Sequence, residues 1–312
     1  MSETIATYSV PQHHVKMYTA NVQAALNKEG GILAGYVSNG AYSGEKSQVV
    51  NFLGPVEFVE RNTPYGDTKL TELEHTQRWI TGTEYDCAIL IDRLDVLKMI
   101  YDPTSPYVER MREAAARKMD EIIMSKFYAV AKTGKDGTTD TSFPAQDVIA
   151  HGDSRMSVAK LRAARKLLKK RHVNLRTTTP YIAVTAEQTD DLLGEVAVGS
   201  SDYNAVKPLV DGEVSKFMGF LFVPYEDNGV SANGKGIPTT SVAGPATIRD
   251  CPVWVPDGHH FGAWDGLSII ISPRADKNNI KQAHASFTAG ATRLEEGKVL
   301  KLQCVETGTP SH

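Results

Sequence analysis

The 312-residue chain has only three cysteines, Cys87, Cys251 and Cys304, far apart and odd in number. That pattern excludes a disulfide framework, and without a secretion signal the three are expected to be reduced, small and buried. No stretch approaches the ~20 consecutive apolar residues that span a bilayer, so a membrane is not an expected partner. Residues 1–14 (MSETIATYSVPQHH) lack the basic-then-apolar layout of a signal peptide, and synthesis in a cytoplasm is expected. Charge of one sign is also missing: a net charge of −3 gives no general pull on a nucleic-acid backbone. There is no internal repeat and no low-complexity segment. With 41% hydrophobic residues the chain is long enough to bury a large core, in one elaborated domain or two.

Chemistry-bearing motifs are nearly absent as well. Gly229–Lys235 (GVSANGK) matches seven positions of a phosphate-binding loop, but the magnesium-holding hydroxyl of position eight is replaced by Gly236. Ile237-Pro238 follows, where a helix would be needed. Two histidine pairs, His13-His14 and His259-His260, have no further ligand at helical spacing and read as loop histidines. Gly199-Ser200-Ser201 lacks the second glycine of a nucleophile elbow. Asp92, Asp95 and Asp102 fit a solvated face or a turn cap. The basic run Lys166–Arg171 is interrupted by the two leucines that anchor its helix, which favours a solvated face or subunit contact over DNA. No catalytic, cofactor-binding or metal-ligating residue is expected.

What is present is structural. From Ser105-Pro106, a good helix start, Val108, Met111, Ala115, Met119, Ile122, Ile123, Phe127 and Val130 recur at three- and four-residue steps as one apolar stripe. Glu109, Arg112, Glu113, Lys118, Glu121 and Lys126 occupy the other face. At 1.5 Å per residue this beam spans roughly 40 Å. Before it, odd positions from Trp79 to Ile91 are aromatic, β-branched or small, the period-two sign of a long strand. Its expected partner limb is Val49–Glu60, across a polar connector broken by Pro64 and Gly66. Together they form a long two-stranded arm, and an isolated hairpin is marginal in water, so the arm should lean on something outside its own domain.

The remainder reads as follows. Residues 1–47 form an extended, glycine-punctuated lead. Asp136–Asp153 is a loop. A helix follows Ser157 with Val158, Leu161, Ala164 and Leu168 inward. Tyr181–Thr185 is a buried strand and Glu187–Leu193 a short helix. Asp211-Gly212 turns the chain into an apolar central strand, and Glu226–Ala246 is a long mobile loop. Two strand pairs close the chain: Trp254 with Leu267–Ile271, and Ala283–Thr292 with Val299–Val305. The class is α+β.

This order of elements, with Asp92–Asp95 (DRLD), Asp102–Asp120 (DPTSPYVERMREAAARKMD), Ser201–Asn204 (SDYN), Asp211–Phe220 (DGEVSKFMGF) and Ala291–Cys304 (ATRLEEGKVLKLQC), resembles the major capsid protein of tailed double-stranded DNA bacteriophages, whose fold is of the Hong Kong 97 type. The resemblance implies an N-terminal arm at 1–47 and an extended β-hairpin loop at 48–91 that overlaps a neighbouring subunit. It also implies a peripheral domain of 92–150 with 265–312, a spine helix at about 105–132, and an axial domain of 151–264 around the capsomer centre. The implied function is a structural subunit of the icosahedral capsid of the virion, assembled in the host bacterial cytoplasm around a double-stranded DNA genome. Implied partners are other copies in hexamers and pentamers, a separate scaffolding protein, a portal, packaged DNA held by weak non-specific contact, and a decoration protein. A separate scaffold is expected because the arm is too short to contain one. By the same resemblance Pro64, Tyr65, Gly66, Lys69, Glu72 and Glu74 at the arm tip are assembly contacts. Some relatives form a Lys–Asn cross-link. Nothing singles out a pair among Lys46, Lys69, Asn278 and Asn279, so that chemistry is not carried over. The competing readings are an encapsulin-like compartment shell and an enzyme with a lid at 226–246.

Overall fold

The computed structural model describes residues 31–44, 46–53, 58, 60, 75–91, 104–199, 216–226, 236–241 and 247–306. In chain order its strands and helices begin with β1 (Ser38–Ala41), β2 (Lys46–Leu53), β3 (His75–Thr81) and β4 (Thr83–Ile91). The long helix α1 (Thr104–Lys126) follows, then β5 (Ala131–Thr133), β6 (Thr139–Thr141), β7 (Val148–Ile149) and helix α2 (Val158–Lys170). Next come β8 (Tyr181–Val184), helix α3 (Ala186–Gly199), β9 (Lys216–Phe217), β10 (Phe220–Pro224) and β11 (Thr239–Ser241). The chain closes with β12 (Thr247–Trp254), β13 (His259–Arg274), β14 (Ile280–Arg293) and β15 (Val299–Glu306). They form three sheets, in the orders β1-β13-β14-β4, β2-β3-β5-β6 and β7-β15-β12-β8-β10-β9, with β11 added on β12. Two compact units result: residues 31–83, 119–264 and 289–306 of the described chain, and residues 84–91, 104–118 and 265–288.

In the larger unit the seven-stranded sheet supplies the core. α2 starts where its cap dictates: Ser157 is extended and its side chain accepts from the Lys160 amide. Leu161, Ala164 and Leu168 of α2 are fully buried against Ile182 and Val253 of the sheet, as the helical period predicts. β8 and β10 are parallel, Tyr181 opposite Leu221, and a parallel pair needs a crossover, to which α3 belongs. α3 runs well past the short helix expected at 187–193.

Several pairings differ from the sequence-based expectation. Trp254 lies opposite Val299 and Tyr181, not 267–271, and β14 pairs with β13 rather than with the final strand. Local period tells a strand from a helix but carries no address for its partner. Short 3₁₀ turns at Pro256–Gly258 and Glu296–Lys298 send β13 and β15 to different sheets. The apolar run after Lys216 is a hairpin, not one strand: Met218 (φ 51°) and Gly219 (φ 84°) both take left-handed conformations, the geometry of a tight two-residue turn. A Cβ on Gly219 would sit 2.8 Å from Arg165 Nη1. Thr239–Ser241, expected within a mobile loop, pairs with Thr247–Arg249. The loop expected at 136–153 likewise contains β6, β7 and a 3₁₀ turn.

A hairpin forms here, but from Lys46–Leu53 with His75–Thr81: of the limb expected at Trp79–Ile91 only Trp79–Thr81 takes part, and His75–Gln77 come from the expected connector. Its downstream limb is shorter than the alternation suggests. The strand breaks at Gly82, so that β3 pairs with β2 and β5 while β4 joins β14. At the switch the Thr81 carbonyl passes so close to Gly290 that a Cβ there would lie 2.2 Å from its oxygen. α1 is 23 residues long, about 34 Å. It ends at Lys126 rather than 132. Met111, Ala115, Ile122, Ile123 and, just past the end, Phe127 are buried, but Val130 is half exposed. In the smaller unit β4, β13 and β14 meet α1 over Met111, Ala283 and Ala285, with Ile89, Leu267 and Ile269 half-buried against them. Cys251 and Cys304 are buried free thiols as expected, whereas Cys87 is exposed on β4.

Candidate assembly surfaces

The expected arm-tip contacts, Pro64, Tyr65, Gly66, Lys69, Glu72 and Glu74, lie outside the described residues. So do His13-His14, Asp92, Asp95, Asp102, Ser201–Asn204 and Lys235. The root of the arm is described. Trp79 Nε1 donates to the Gly134 carbonyl at 2.7 Å, and Gly137, with φ at 65°, lets its ring pass. Arg78, on β3, is buried; its Nε donates to the Leu294 carbonyl at 3.0 Å and its Nη2 to Glu296 at 2.6 Å. Glu296 also faces Arg293, whose Nη1 donates to the carbonyls of Phe127 (2.9 Å) and Ala129 (3.1 Å) just beyond α1. These two bonds satisfy carbonyls of the segment that leaves the end of α1. Nearby, Arg171 Nη2 reaches Asp147 at 2.6 Å. Burial pushes the Asp147 carboxyl above its usual range against the opposing pull of Arg171.

The lead is pinned to α1 at Asp120. Its carboxylate, fully buried, accepts from the amides of Gly31 (2.8 Å), Ile32 (3.2 Å) and Leu33 (3.0 Å). Leu33 is itself fully buried, and Trp254 Nε1 donates to the Tyr36 carbonyl at 2.9 Å. β1 then runs parallel to the start of β13, Ser38 opposite His260. There the second histidine pair departs from expectation: His259 and His260 are buried strand residues, not loop residues. His260 bridges Ser38 Oγ (2.7 Å) and Tyr42 OH (2.6 Å). His259 stacks on Phe127 with ring centres 4.2 Å apart, and loss of hydration lowers its pKa to about 3. Among the described residues no group of three His, Cys, Asp or Glu side chains converges as a metal site, and no helix is long and apolar enough to cross a membrane.

Asp120 and Arg293 are not expected as functional positions, yet both carry a signal in the sequence. Each is a charged residue at an inward position, Asp120 beside the stripe of α1 and Arg293 at the end of the odd-numbered face of β14. A charge in the buried phase is affordable only with partners. Of the basic run, Lys166, Lys169 and Lys170 are exposed, Leu168 is buried, and Arg171 belongs to the Asp147 pair. Asn278 and Asn279, in the β13–β14 turn, have φ of 51° and 53°, a role asparagine fills readily.

Comparison with known proteins places this architecture. A model of the phage capsid protein family matches residues 10–306. The capsid structure of cyanophage Pam1 is similar with a TM-score of 0.69 at 11% identity, covering 99% of this chain and 100% of that one. That of cyanophage P-SCSP1u gives 0.66 at 14% identity and 93% of each chain, and the mature capsid of bacteriophage PhiM1 gives 0.65 at 15%, covering 95% and 93%. No curated protein is significantly similar in sequence. The family match favours a phage shell over an encapsulin-like compartment and assigns a structural role. The chain belongs to the phage capsid protein family and is a structural subunit of an icosahedral phage shell.

Proposed function

We propose that this subunit assembles as hexamers and pentamers, with the 48–91 arm laid over a neighbouring copy. In this reading 1–47 is an N-terminal arm, 92–150 with 265–312 the peripheral domain, and 151–264 the axial domain. A separate scaffolding protein directs closure in the host cytoplasm, a portal occupies one vertex, double-stranded DNA fills the interior through weak non-specific contacts, and the shell can take a decoration protein. The subunit catalyses no reaction and holds no cofactor.

The observation that carries the arm's role is its isolation. Among the described residues β2 pairs with β3 alone, and β3's other neighbour is the three-residue strand β5. Beyond Leu53, Phe58 is fully exposed. A hairpin this thin is marginal by itself and gains its stability from what it lies on. Electron microscopy of the purified, overexpressed protein, alone and with scaffold, tests the reading: closed shells or rings of six and five are expected. Deleting Thr63–Glu74 should leave a soluble, folded subunit that forms at most small oligomers, because a loss of even ~1 kcal/mol per contact is repeated in every copy. Complete shells of ordinary thermal stability from that deletion would reduce the arm to a local hairpin.

A further inference from the structure

Two helices of the larger unit carry opposite charge throughout. α2 (VAKLRAARKLLKK) has no acidic residue, and α3 (AEQTDDLLGEVAVG) has no basic one. Both commit their apolar side to the same core, through Leu161, Ala164 and Leu168 on α2 and Leu192 on α3, and apart from Lys160, buried on the Ser154 and Gln303 carbonyls, most of their charges lie on the exposed side. On α2 the exposed row is Arg162, Lys166, Lys169 and Lys170, at steps of four, three and one. This row borders an open groove of about 830 Å³ that ends at Met218, where Arg165 donates to the backbone carbonyl. On α3 the exposed row is Glu187, Asp190 and Glu195. Each row covers eight helical steps, about 12 Å, so the two match in length as well as in sign.

Inside one subunit these rows do not satisfy each other. Among the described residues no ion pair engages Arg162, Lys166, Lys169, Lys170, Glu187 or Asp190. The neighbouring carboxylates are used locally: Asp191 pairs with Arg155 at 3.0 Å, and Glu195 accepts from the Val158 amide at 2.6 Å. Like charges one helical turn apart repel, so each row gains from a counter-charge supplied by another molecule. A nucleic acid would satisfy the basic row and repel the acidic one. A second copy satisfies both. In a ring of identical subunits every contact is heterologous, each copy offering one surface to the next and a different one to the previous. Two complementary rows at separate places on one unit are what such a contact requires.

We propose that the basic row of α2 docks against the acidic row of α3 in the next copy around the capsomer ring. This rests on the ring-forming reading above and names the residues that set partner, order and direction in it. Exposed charge pairs contribute more to steering and register than to raw affinity, so the contact selects the correct neighbour geometry while apolar and backbone contacts hold it.

The test is a charge swap, read by electron microscopy and sedimentation with the wild-type protein in the same assembly system as control. Variant one is Arg162→Glu with Lys166→Glu and Lys169→Glu; variant two is Glu187→Lys with Asp190→Lys, which leaves the Glu195 contact to the Val158 amide in place. Exposed substitutions of this kind should leave the helical circular dichroism and the thermal midpoint close to wild type. Each variant alone should form no rings, and the combination of all five substitutions should restore them. The neutral variant Arg162→Gln with Lys166→Gln and Lys169→Gln should raise the concentration needed for rings by roughly tenfold or more. Co-expressing variants one and two gives the sharpest outcome. Subunits with two acidic rows alternate with subunits having two basic rows, which closes a ring of six but not of five. Six-membered rings without closed shells are therefore expected. Normal shells from variant one, full or empty of DNA, would overturn the proposal. So would folded single-row variants that the combination fails to rescue. Absence of rings from the wild-type protein would instead overturn the capsomer reading itself.

Discussion

In the larger unit Leu161, Ala164, Ile182, Val253 and Leu300 are fully buried, and every buried polar side chain among the described residues lies there, including Arg78, Asp120, Asp147, Lys160, His259 and Arg293. Among the described residues the smaller unit buries Ile91, Met111, Ala115, Ala283, Ala285 and Phe287, and it leaves Leu90, Ile270 and Ile271 between 43% and 58% exposed. The first buries its charges with partners, which makes its core unique as well as compact, and its exposed large apolar residues are Phe58, on the arm, and Val130, just past α1. Among the described residues the second is a sheet packed against α1, with apolar side chains at its surface. A monomeric protein has little reason to keep such a surface, and a shell subunit has one, because its neighbours complete it.

The largest test of this contrast is Arg293→Ala. It would strip the carbonyls of Phe127 and Ala129 of their donor and leave Glu296 with Arg78 alone. Breaking a buried ionic network by removing one member costs about 3–5 kcal/mol. The expected result is a sharp loss of soluble protein and, for what remains, a lower urea midpoint. A loss below about 1 kcal/mol would mean that this network positions the chain without stabilising it.

Next in size is a matched pair of truncations. Leu161→Ala, in the closed core, should cost about 2–5 kcal/mol, the range for emptying a fully buried leucine site. Leu267→Ala, half-buried in the open unit, should cost less than half of that. Equal costs in urea unfolding would show that the smaller unit is as tightly packed as the larger.

A third test uses acid. The His259 pKa is about 3 in the fold, chiefly through burial, against 6.5 for a free imidazole. Its folded value is depressed, so the unfolded chain binds a proton first as pH falls. Stability is therefore full above pH 6.5 and is lost progressively toward about 3. His260, lowered by burial as well, adds in the same direction. By pH 4.5 the His259 contribution alone is on the order of 2–3 kcal/mol. His259→Phe, which keeps a ring against Phe127, should flatten the thermal midpoint between pH 7 and 4.5. An unchanged acid slope in the variant would assign the acid sensitivity to other groups.

What the sequence reveals divides along a related line. Features set by local period or local capping are legible: Ser157 as the α2 cap, the inward faces of α2 and α1, and the alternation of β4. The order of elements was enough to point to the family. Features set by distant partners were not. The address of β12 is written in β8 and β15, and the burial of His259 depends on Phe127 more than a hundred residues away. The hairpin at Met218-Gly219 hid inside an apolar run because methionine is an unusual residue for a left-handed turn. The charged rows of α2 and α3 were legible only in part: the basic run was noticed, but its acidic counterpart means nothing until both helices are seen to share one core. The arm tip, named from resemblance, remains a proposal.

The smallest effect on folding is expected from Ile270→Thr combined with Leu90→Thr, and it bears most directly on the contrast between the units. Both side chains are at least half exposed, on β13 and β4, so truncation removes little buried area. Threonine keeps the β-branch that suits a strand, and exposed substitutions away from special features usually stay within about ±0.5 kcal/mol. The isolated subunit should therefore unfold at nearly the same urea concentration as wild type. Assembly should respond differently. If neighbouring copies cover this sheet, each apolar side chain is buried only in the shell, and burial of one such residue contributes about 1–2 kcal/mol at every copy of the contact. Shells of the double variant should then melt earlier and form only at higher subunit concentration, while the monomer is unchanged. Shells that melt with wild-type ones would make Leu90 and Ile270 ordinary surface residues, and the openness of the smaller unit would have no part in assembly.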